Sequence, residues 1–415
     1  MNICLISREY PTDEHMGGVA TYTEKTARAL VRLGQSVTVI TEALGAPSVR
    51  IEEGVEVRRL APIRRHNLRM AARAWAVGRA VATLPVAPDI VQACEYGAEA
   101  FWISLRRPKG AKLITRLATP SYLVHQLNAN SQRREFRSRY YIGALERIQT
   151  RRSDAIFSVS DALAEVVCGQ WSIRRDRVRT IPNGVDFAER FAAGPREMPH
   201  ALRDKAYLIY VGRLEERKGV HILAEALPGV LKTYPQLHAV FVGNNAVSYR
   251  GEGLQAYVER CNRAHPDRVH FFPRLSHQDL YPLVHGAQVA VFPSLWEACG
   301  NVSLEAQDAG TPVVATTGSG FSEQIDDGMS GVLVPPGDVP ALRRALIAIL
   351  ADPVALREMS RAAKQRAQQL QMNRVTEQLL RFYQDVMASG RVRVGEWFGG
   401  GGPAGQPERP PPSPL

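Results

Sequence analysis

The sequence predicts an α/β protein built from two doubly wound, mostly parallel sheets in tandem. Three observations lead there. Short runs rich in Val, Ile and Leu alternate with longer helix-like stretches, and several of the short runs are apolar throughout, as strands covered on both faces are. The alternation pauses at a turn-rich stretch and then starts again, which implies a second sheet. A chain of 415 residues is also too long for one ordinary core.

In the first half the expected strands are 2–7, 36–42, 89–93, 112–116 and 155–160. In the second they are 207–212, 239–243, 269–272, 289–293, 312–316 and 332–335. The crossing falls near 181–194, where Pro182, Asn183 and Gly184 supply turn chemistry. The domains expected are therefore 1–185 and 186–374. Residues 375–387 read as an amphipathic helix with Leu379, Leu380, Tyr383 and Val386 on its apolar side. That helix, about 375–388, is expected to pack back on the first domain. The Gly- and Pro-rich tail, 395–415, is expected to be disordered.

Composition narrows the class. Hydrophobic content of 45% with 22% charged residues fits a globular chain and excludes a disordered one. No run of about 20 apolar residues is present to span a membrane. Residues 1–10 lack a basic segment leading into a long apolar one and read as a first strand, not a signal peptide. The five cysteines are scattered and form no C-x-x-C pair. That argues against a disulfide framework or structural zinc and for a reducing, cytoplasmic compartment.

Charge is unevenly placed. Residues 1–200 hold 30 Lys and Arg against 20 Asp and Glu, a net of +10 out of +11 for the chain. Arg58, Arg59, Arg64, Arg65, Arg69, Arg73 and Arg79 fall between Glu56 and Asp89 with no acidic residue among them. Arg65, Arg69 and Arg73 recur on one face of an expected helix. A second stretch, 133–152, interleaves Arg134, Arg137, Arg139, Arg147 and Arg151 with Phe136, Tyr140 and Tyr141. Basic helices with aromatics suit an anionic membrane surface; a solvated charged face is the equal alternative. No nucleic-acid-binding module appears.

The chemistry concentrates in 292–316, FPSLWEACGNVSLEAQDAGTPVVAT. A strand ends, a loop carries Trp296, Glu297 and Cys299, and a helix starts after Gly300. Backbone amides of Gly300, Asn301 and Val302 at a helix N-terminus form an anion site. Glu305 and Glu297 can accept the hydroxyls of a vicinal diol, although both could equally cap the helix and face solvent. A second cluster, GRLEERKG, places Arg213 just past strand 207–212 and Lys218 five residues later. Two such cations can clamp a diphosphate, or Glu215 and Glu216 can neutralise them as a surface cluster.

Taken together, the E-x7-E spacing of Glu297 and Glu305, the GR…KG element, IPNGVD at 181–186, MGGVATYTEKTARAL at 16–30 and GSGFSEQIDDGMSGVLVPPGD at 318–338 resemble family 4 retaining glycosyltransferases of the GT-B fold. The resemblance runs from residue 1 to about 387. It implies two Rossmann-like domains facing across a cleft, the first on the acceptor side and the second holding a nucleotide diphosphate-sugar donor. Arg213 and Lys218 would hold the diphosphate, and Gly300, Asn301 and Val302 would offer backbone donors. Glu305 would take the ribose hydroxyls and Glu297 the transferred sugar. Gly17 and Gly18 would close over the phosphates from the other domain. The catalytic set would be Glu297, Arg213 and Lys218, with no metal and no cofactor; no D-x-D triplet is present. Acceptors implied are a glycan, a lipid-linked sugar or a small molecule, at a cytoplasmic or peripheral membrane location.

Two positions depart from the family pattern. Many relatives carry a histidine where this chain has Ala118, with His125 nearby. Cys299 replaces a usual aromatic, and no partnering base marks it as a nucleophile. Two other functions fit the same residues: a nucleotide-sugar epimerase, which needs no acceptor, and a non-catalytic nucleotide-sugar-binding subunit, which binds donor without consuming it.

Overall fold

The structure, a computed structural model, describes residues 1–11, 17–63, 69–127, 136–191, 197–245, 248–249 and 251–388. The first sheet is formed within β1 (Asn2–Ile6), α1 (Gly18–Arg32), β2 (Ser36–Glu42), β3 (Ser48–Glu52), β4 (Val55–Leu60), α2 (Arg69–Ala82), β5 (Ile90–Cys94) and α3 (Phe101–Leu105). It continues through β6 (Lys112–Leu117), α4 (Ser121–Leu127), α5 (Phe136–Arg152), β7 (Ala155–Ser158), α6 (Asp161–Trp171) and β8 (Val178–Thr180). Its order is β3-β4-β2-β1-β5-β6-β7-β8, parallel throughout except at the β3–β4 hairpin.

After α7 (Phe187–Phe191) come β9 (Ala206–Val211), α8 (Val220–Thr233), β10 (Leu237–Val242), the short pair β11 (Ser248–Tyr249) and β12 (Glu252–Gly253), and α9 (Leu254–Cys261). Next are β13 (Val269–Phe272), α10 (His277–His285), β14 (Val289–Phe292), α11 (Asn301–Asp308), β15 (Val313–Thr316) and β16 (Gly331–Val334). The chain closes on α12 (Val339–Ala351), α13 (Pro353–Gln369) and α14 (Met372–Ala388). The second sheet runs β13-β10-β9-β14-β15-β16, all parallel.

The expected strands are present to within a few residues; most are apolar runs buried on both sides, as in β7 and β14, while the edge strand β13 is only partly buried. The β3–β4 hairpin is an addition: β3 is an edge strand whose side chains are largely exposed, so its sequence carries no core signal. Glu53 and Gly54, both at positive φ, make its turn.

The chain crosses between the sheets twice, and the crossings are tied together. Val185 N–H donates to the Leu370 carbonyl and Met372 N–H to the Val185 carbonyl, each at 2.9 Å. α14 then returns to the first sheet and buries Val375, Leu379, Phe382, Tyr383 and Val386 against a core that includes Ile3, Leu5 and Val39. The Tyr383 hydroxyl donates to Gln92 of β5.

The basic helical face is narrower than its spacing suggests. Arg73 is buried and ion-paired with Glu99, with Glu42 at 3.3 Å, so it belongs to the interior. Arg58 and Arg59 pair with Glu56 and Glu52. Arg64, Arg65, Arg133, Arg134 and the 395–415 tail lie outside the described residues, as do the side chains of Arg69, Arg137, Arg139, Phe136 and Tyr140.

Candidate active site

β9 and β14 are neighbours in the second sheet and run parallel, so their following loops leave the same edge side by side. The loop after β9 carries Arg213, Glu215, Arg217 and Lys218; the loop after β14 carries Glu297. A backbone bond from Leu295 N–H to the Arg217 carbonyl, 2.9 Å, ties them. Gly219 allows the contact: its φ is +67°, and a Cβ there would lie 1.8 Å from the Pro293 carbonyl oxygen. Any side chain would push the loops apart.

This contact makes Lys218 and Glu297 an ion pair, with Arg217 at 3.7 Å from the same carboxylate. Burial pushes the Glu297 carboxyl up, but the two cations outweigh it and hold it below its ordinary value. Glu215 takes Arg217 at 2.7 Å and Arg213 at 3.3 Å. Arg213 itself is 62% exposed in its side chain and is the most exposed cation of the set. Arg217 lies inside the quoted GRLEERKG element but was given no role there.

α11 begins behind this pair. Gly300 is its N-cap at φ +74°, ψ 65°, with no side-chain cap on the first turn. The amides at Asn301 and Val302 therefore present the positive helix end toward the first domain. Gly18, at the start of α1, lies across from it, since a Cβ there would sit 3.7 Å from Asn301 Nδ2. Gly17 is the extended N-cap of α1.

Glu305 faces the same gap and is buried. Its Oε1 has Lys25 Nζ of α1 at 3.9 Å and His277 Nε2 at 3.6 Å. Lys25 is closer to Asp186, at 2.7 Å. Burial lowers the His277 imidazole pKa, outweighing the pull of Glu305, which keeps the ring neutral near pH 7. A narrow cleft lined by Tyr22, Lys25, Asn183, Asn301 and Glu305 joins the two domains. The solvent-facing alternative for the two glutamates fails: both are enclosed and paired. Lys25, Asp186 and His277 were missed. The first two sat inside quoted motifs without a chemical role, and His277 had no signal.

Comparison with known proteins identifies the chain. A family model described as Glycosyltransferase Family 4 matches residues 16–189, and one described as Glycosyl transferases group 1 matches 197–369. The chain belongs to this glycosyltransferase family. It is 29% identical over 403 residues to a D-inositol 3-phosphate glycosyltransferase of Saccharomonospora viridis, covering 92% of each chain. It is 35% identical over 230 residues to a glycogen synthase of Mycobacterium tuberculosis, covering 54% of this chain and 52% of that protein. Among solved structures it resembles sucrose-phosphate synthase from Thermosynechococcus elongatus with a TM-score of 0.75 at 23% identity, over 93% and 99% of the two chains. Anabaena HepE in complex with UDP-glucose gives 0.67 at 18%, over 93% and 100%. The fold is GT-B.

Ala118, the position at which this glycosyltransferase departs from the family pattern, follows β6 in a loop held by buried carboxylates. Glu95 accepts the Ala118 amide at 2.8 and 2.9 Å and the Thr119 amide at 2.6 Å. Glu146 accepts the amides of Gly97 and Ser121 and the Ser121 hydroxyl, at 2.8, 3.1 and 2.9 Å. Burial raises both pKa values, that of Glu146 to about 8. His125 is half-buried on α4. Cys299 is buried, its carbonyl and Sγ both receiving the Gln324 amide, and burial pushes its thiol up to about 11. Such a thiol is a packing group, not a nucleophile. The five cysteines are free.

Proposed function

We propose that this glycosyltransferase is a retaining enzyme that takes a sugar from a nucleotide diphosphate-sugar without a metal or cofactor. The observation that carries it is the convergence, on one rim of the second sheet, of the α11 N-terminus, Lys218 with Arg217, and the enclosed carboxylates Glu297 and Glu305. The amides of Gly300, Asn301 and Val302 would meet the diphosphate, with Lys218 and Arg213 offsetting its charge as it leaves. Glu305 would accept the ribose hydroxyls, and Glu297 would lie against the transferred sugar. Gly17 and Gly18 would cover the phosphates from the first domain. The anomeric carbon–phosphate bond breaks and the acceptor oxygen bonds to the same face. The acceptor proton passes to the departing phosphate oxygen, so configuration is retained.

The named relatives suggest a glycan or an inositol phosphate-like small molecule as acceptor, and the family resemblance adds a lipid-linked sugar. We place the enzyme in the cytoplasm, with peripheral contact to an anionic membrane surface through its basic first half. In support, Trp75 and Tyr141 are exposed, and a groove of about 740 Å³ between the β3–β4 hairpin and α2 carries Trp75, Arg79, Arg58 and Arg59. No described helix is long and apolar enough to cross a membrane. Co-sedimentation with anionic vesicles at low salt tests the contact, and none at low salt refutes it.

The donor experiment is a thermal-shift panel of UDP-, GDP- and ADP-sugars on the wild type and Glu305→Ala. Donor at about 100 times its dissociation constant should stabilise by roughly 2.7 kcal/mol, and Glu305→Ala should abolish the shift. If no nucleotide-sugar stabilises the wild type, the donor site is wrongly assigned. Product anomer by NMR, with and without chelator, then decides retention and metal independence.

A further inference from the structure

Arg116 lies near the carboxyl end of β6, beside the junction of the two domains, and is 4% exposed. Its guanidinium stacks on Tyr22 of α1, 3.6 Å from the ring centroid. Its Nη2 donates to Asn183 Oδ1 at 2.9 Å, and Asn183 Nδ2 donates to Asn301 Oδ1 at 2.7 Å. Arg116 is thus one side chain away from the first residue of α11. What it lacks is a counter-ion. Among the described residues no carboxylate forms an ion pair with it, and its buried Nε has no partner. The carboxylate whose field reaches it, Glu95, is engaged by the amides of Ala118 and Thr119 and by the Cys94 thiol.

A guanidinium stays charged at any physiological pH. Taken out of water without an anion, it is strongly destabilising, and one aromatic face replaces only part of its hydration. Arg73, the other buried arginine among the described residues, has Glu99 and Glu42, and the absence of such a carboxylate sets Arg116 apart from it. The planar fork of arginine matches the paired oxygens of a phosphate or carboxylate.

We propose that Arg116 is the cation of an oxyanion subsite at the domain junction, completed by a phosphate or carboxylate of a bound substrate. It rests on the proposed function only for the source of that group, which is either the donor diphosphate or an anionic acceptor. It is separate from Arg213 and Lys218, which approach from the second domain.

The test uses the full chain as wild type, Arg116→Met and Arg116→Lys, with binding of inorganic phosphate and of UDP measured by calorimetry at fixed ionic strength. The wild type should bind phosphate. Arg116→Met, similar in shape but neutral, should weaken that binding at least tenfold. Arg116→Lys, which keeps the charge but loses the fork, should lose several-fold. If UDP binding is unchanged in Arg116→Met, the anion belongs to the acceptor; if it weakens in parallel, the anion is the donor diphosphate. Equal phosphate and UDP affinities in all three proteins would overturn the proposal, as would a wild type that does not bind phosphate. Should Arg116→Met fail to fold, unchanged phosphate binding in Arg116→Lys overturns it. A wild type that binds phosphate but no nucleotide would instead refute the donor reading and leave the subsite standing.

Discussion

Glu297→Gln tests whether the two donor-side loops are held together by charge. Breaking a buried ion pair costs about 3–5 kcal/mol when one charge is left behind. The Lys218 and Glu297 side chains are 20% and 14% exposed, little enough for that range to apply near its lower end. The two single substitutions should differ. Lys218→Met leaves Glu297 with Arg217 at 3.7 Å, so about 2–3 kcal/mol is expected. Glu297→Gln leaves Lys218 and Arg217 side by side, with Glu215 at 2.7 Å from Arg217 as the remaining compensation, so about 3–4 kcal/mol is expected. For a domain of this size that is a fall of about 6–16 °C in melting temperature. The double variant should cost less than the sum of the singles, because it leaves one uncompensated charge fewer. Calorimetric melts of the ligand-free proteins measure all three. The pair's contribution through Glu297 is present above the ordinary carboxyl value of 4.5 and fades as pH falls through the lower folded value. A loss under about 1 kcal/mol for Glu297→Gln, or strict additivity, would mean that the carboxylate is solvated in the free enzyme, and the picture of a preassembled rim would be wrong.

Other predictions follow from the same geometry. Glu146 has its carboxyl pushed up to about 8 by burial, so the folded protein keeps a proton that the unfolded chain releases above about 4.5. Wild-type stability should therefore fall as pH rises from about 5 to 8. Glu146→Gln should reduce that slope, leaving the part due to the likewise raised Glu95, and gain on the wild type by up to about 1.4 kcal/mol per pH unit; parallel denaturation curves across the range refute it. Gly219→Ala puts a Cβ into the Pro293 carbonyl at a left-handed backbone position. It should cost at least about 1–2 kcal/mol from strain alone and weaken donor binding, whereas unchanged melting would show that the loops separate freely.

Most parallel strands of the two sheets were legible because they are apolar runs set between helices; the three-residue β8, with burial only at Val178, was not. The β3–β4 hairpin was not, since Val49 and Ile51 point to solvent and an exposed edge strand has no burial pattern to read. On the donor side, Glu297, Glu305, Arg213, Lys218 and Gly300 could be singled out because strand–loop–helix order aims them at one edge. Their partners could not. Lys25 with Asp186, or Asn183 with Asn301, are joined only by how the two domains meet, and nothing in their local spacing encodes that. The same limit explains Arg73. A four-residue spacing puts a residue on a helical face but does not say whether that face meets water or, as here, Glu99.

The partners missed in the sequence are also what gives the free cleft its charge balance. Glu297 and Glu305 each share cations with a neighbouring carboxylate. Lys25 sits 2.7 Å from Asp186 but 3.9 Å from Glu305, so its charge is held chiefly by the aspartate. His277, neutral near pH 7 because of burial, contributes a polar edge without competing for the charge. Glu305 is therefore only loosely engaged by its neighbours, the arrangement in which a carboxylate accepts hydroxyl groups with the least rearrangement. Glu297 is the opposite case, tightly paired to Lys218. On the proposed chemistry an arriving diphosphate would compete with Glu297 for Lys218, and the carboxylate released would face the sugar. Binding of the phosphates would thus free the group that contacts the sugar, an exchange that needs no large motion of either loop.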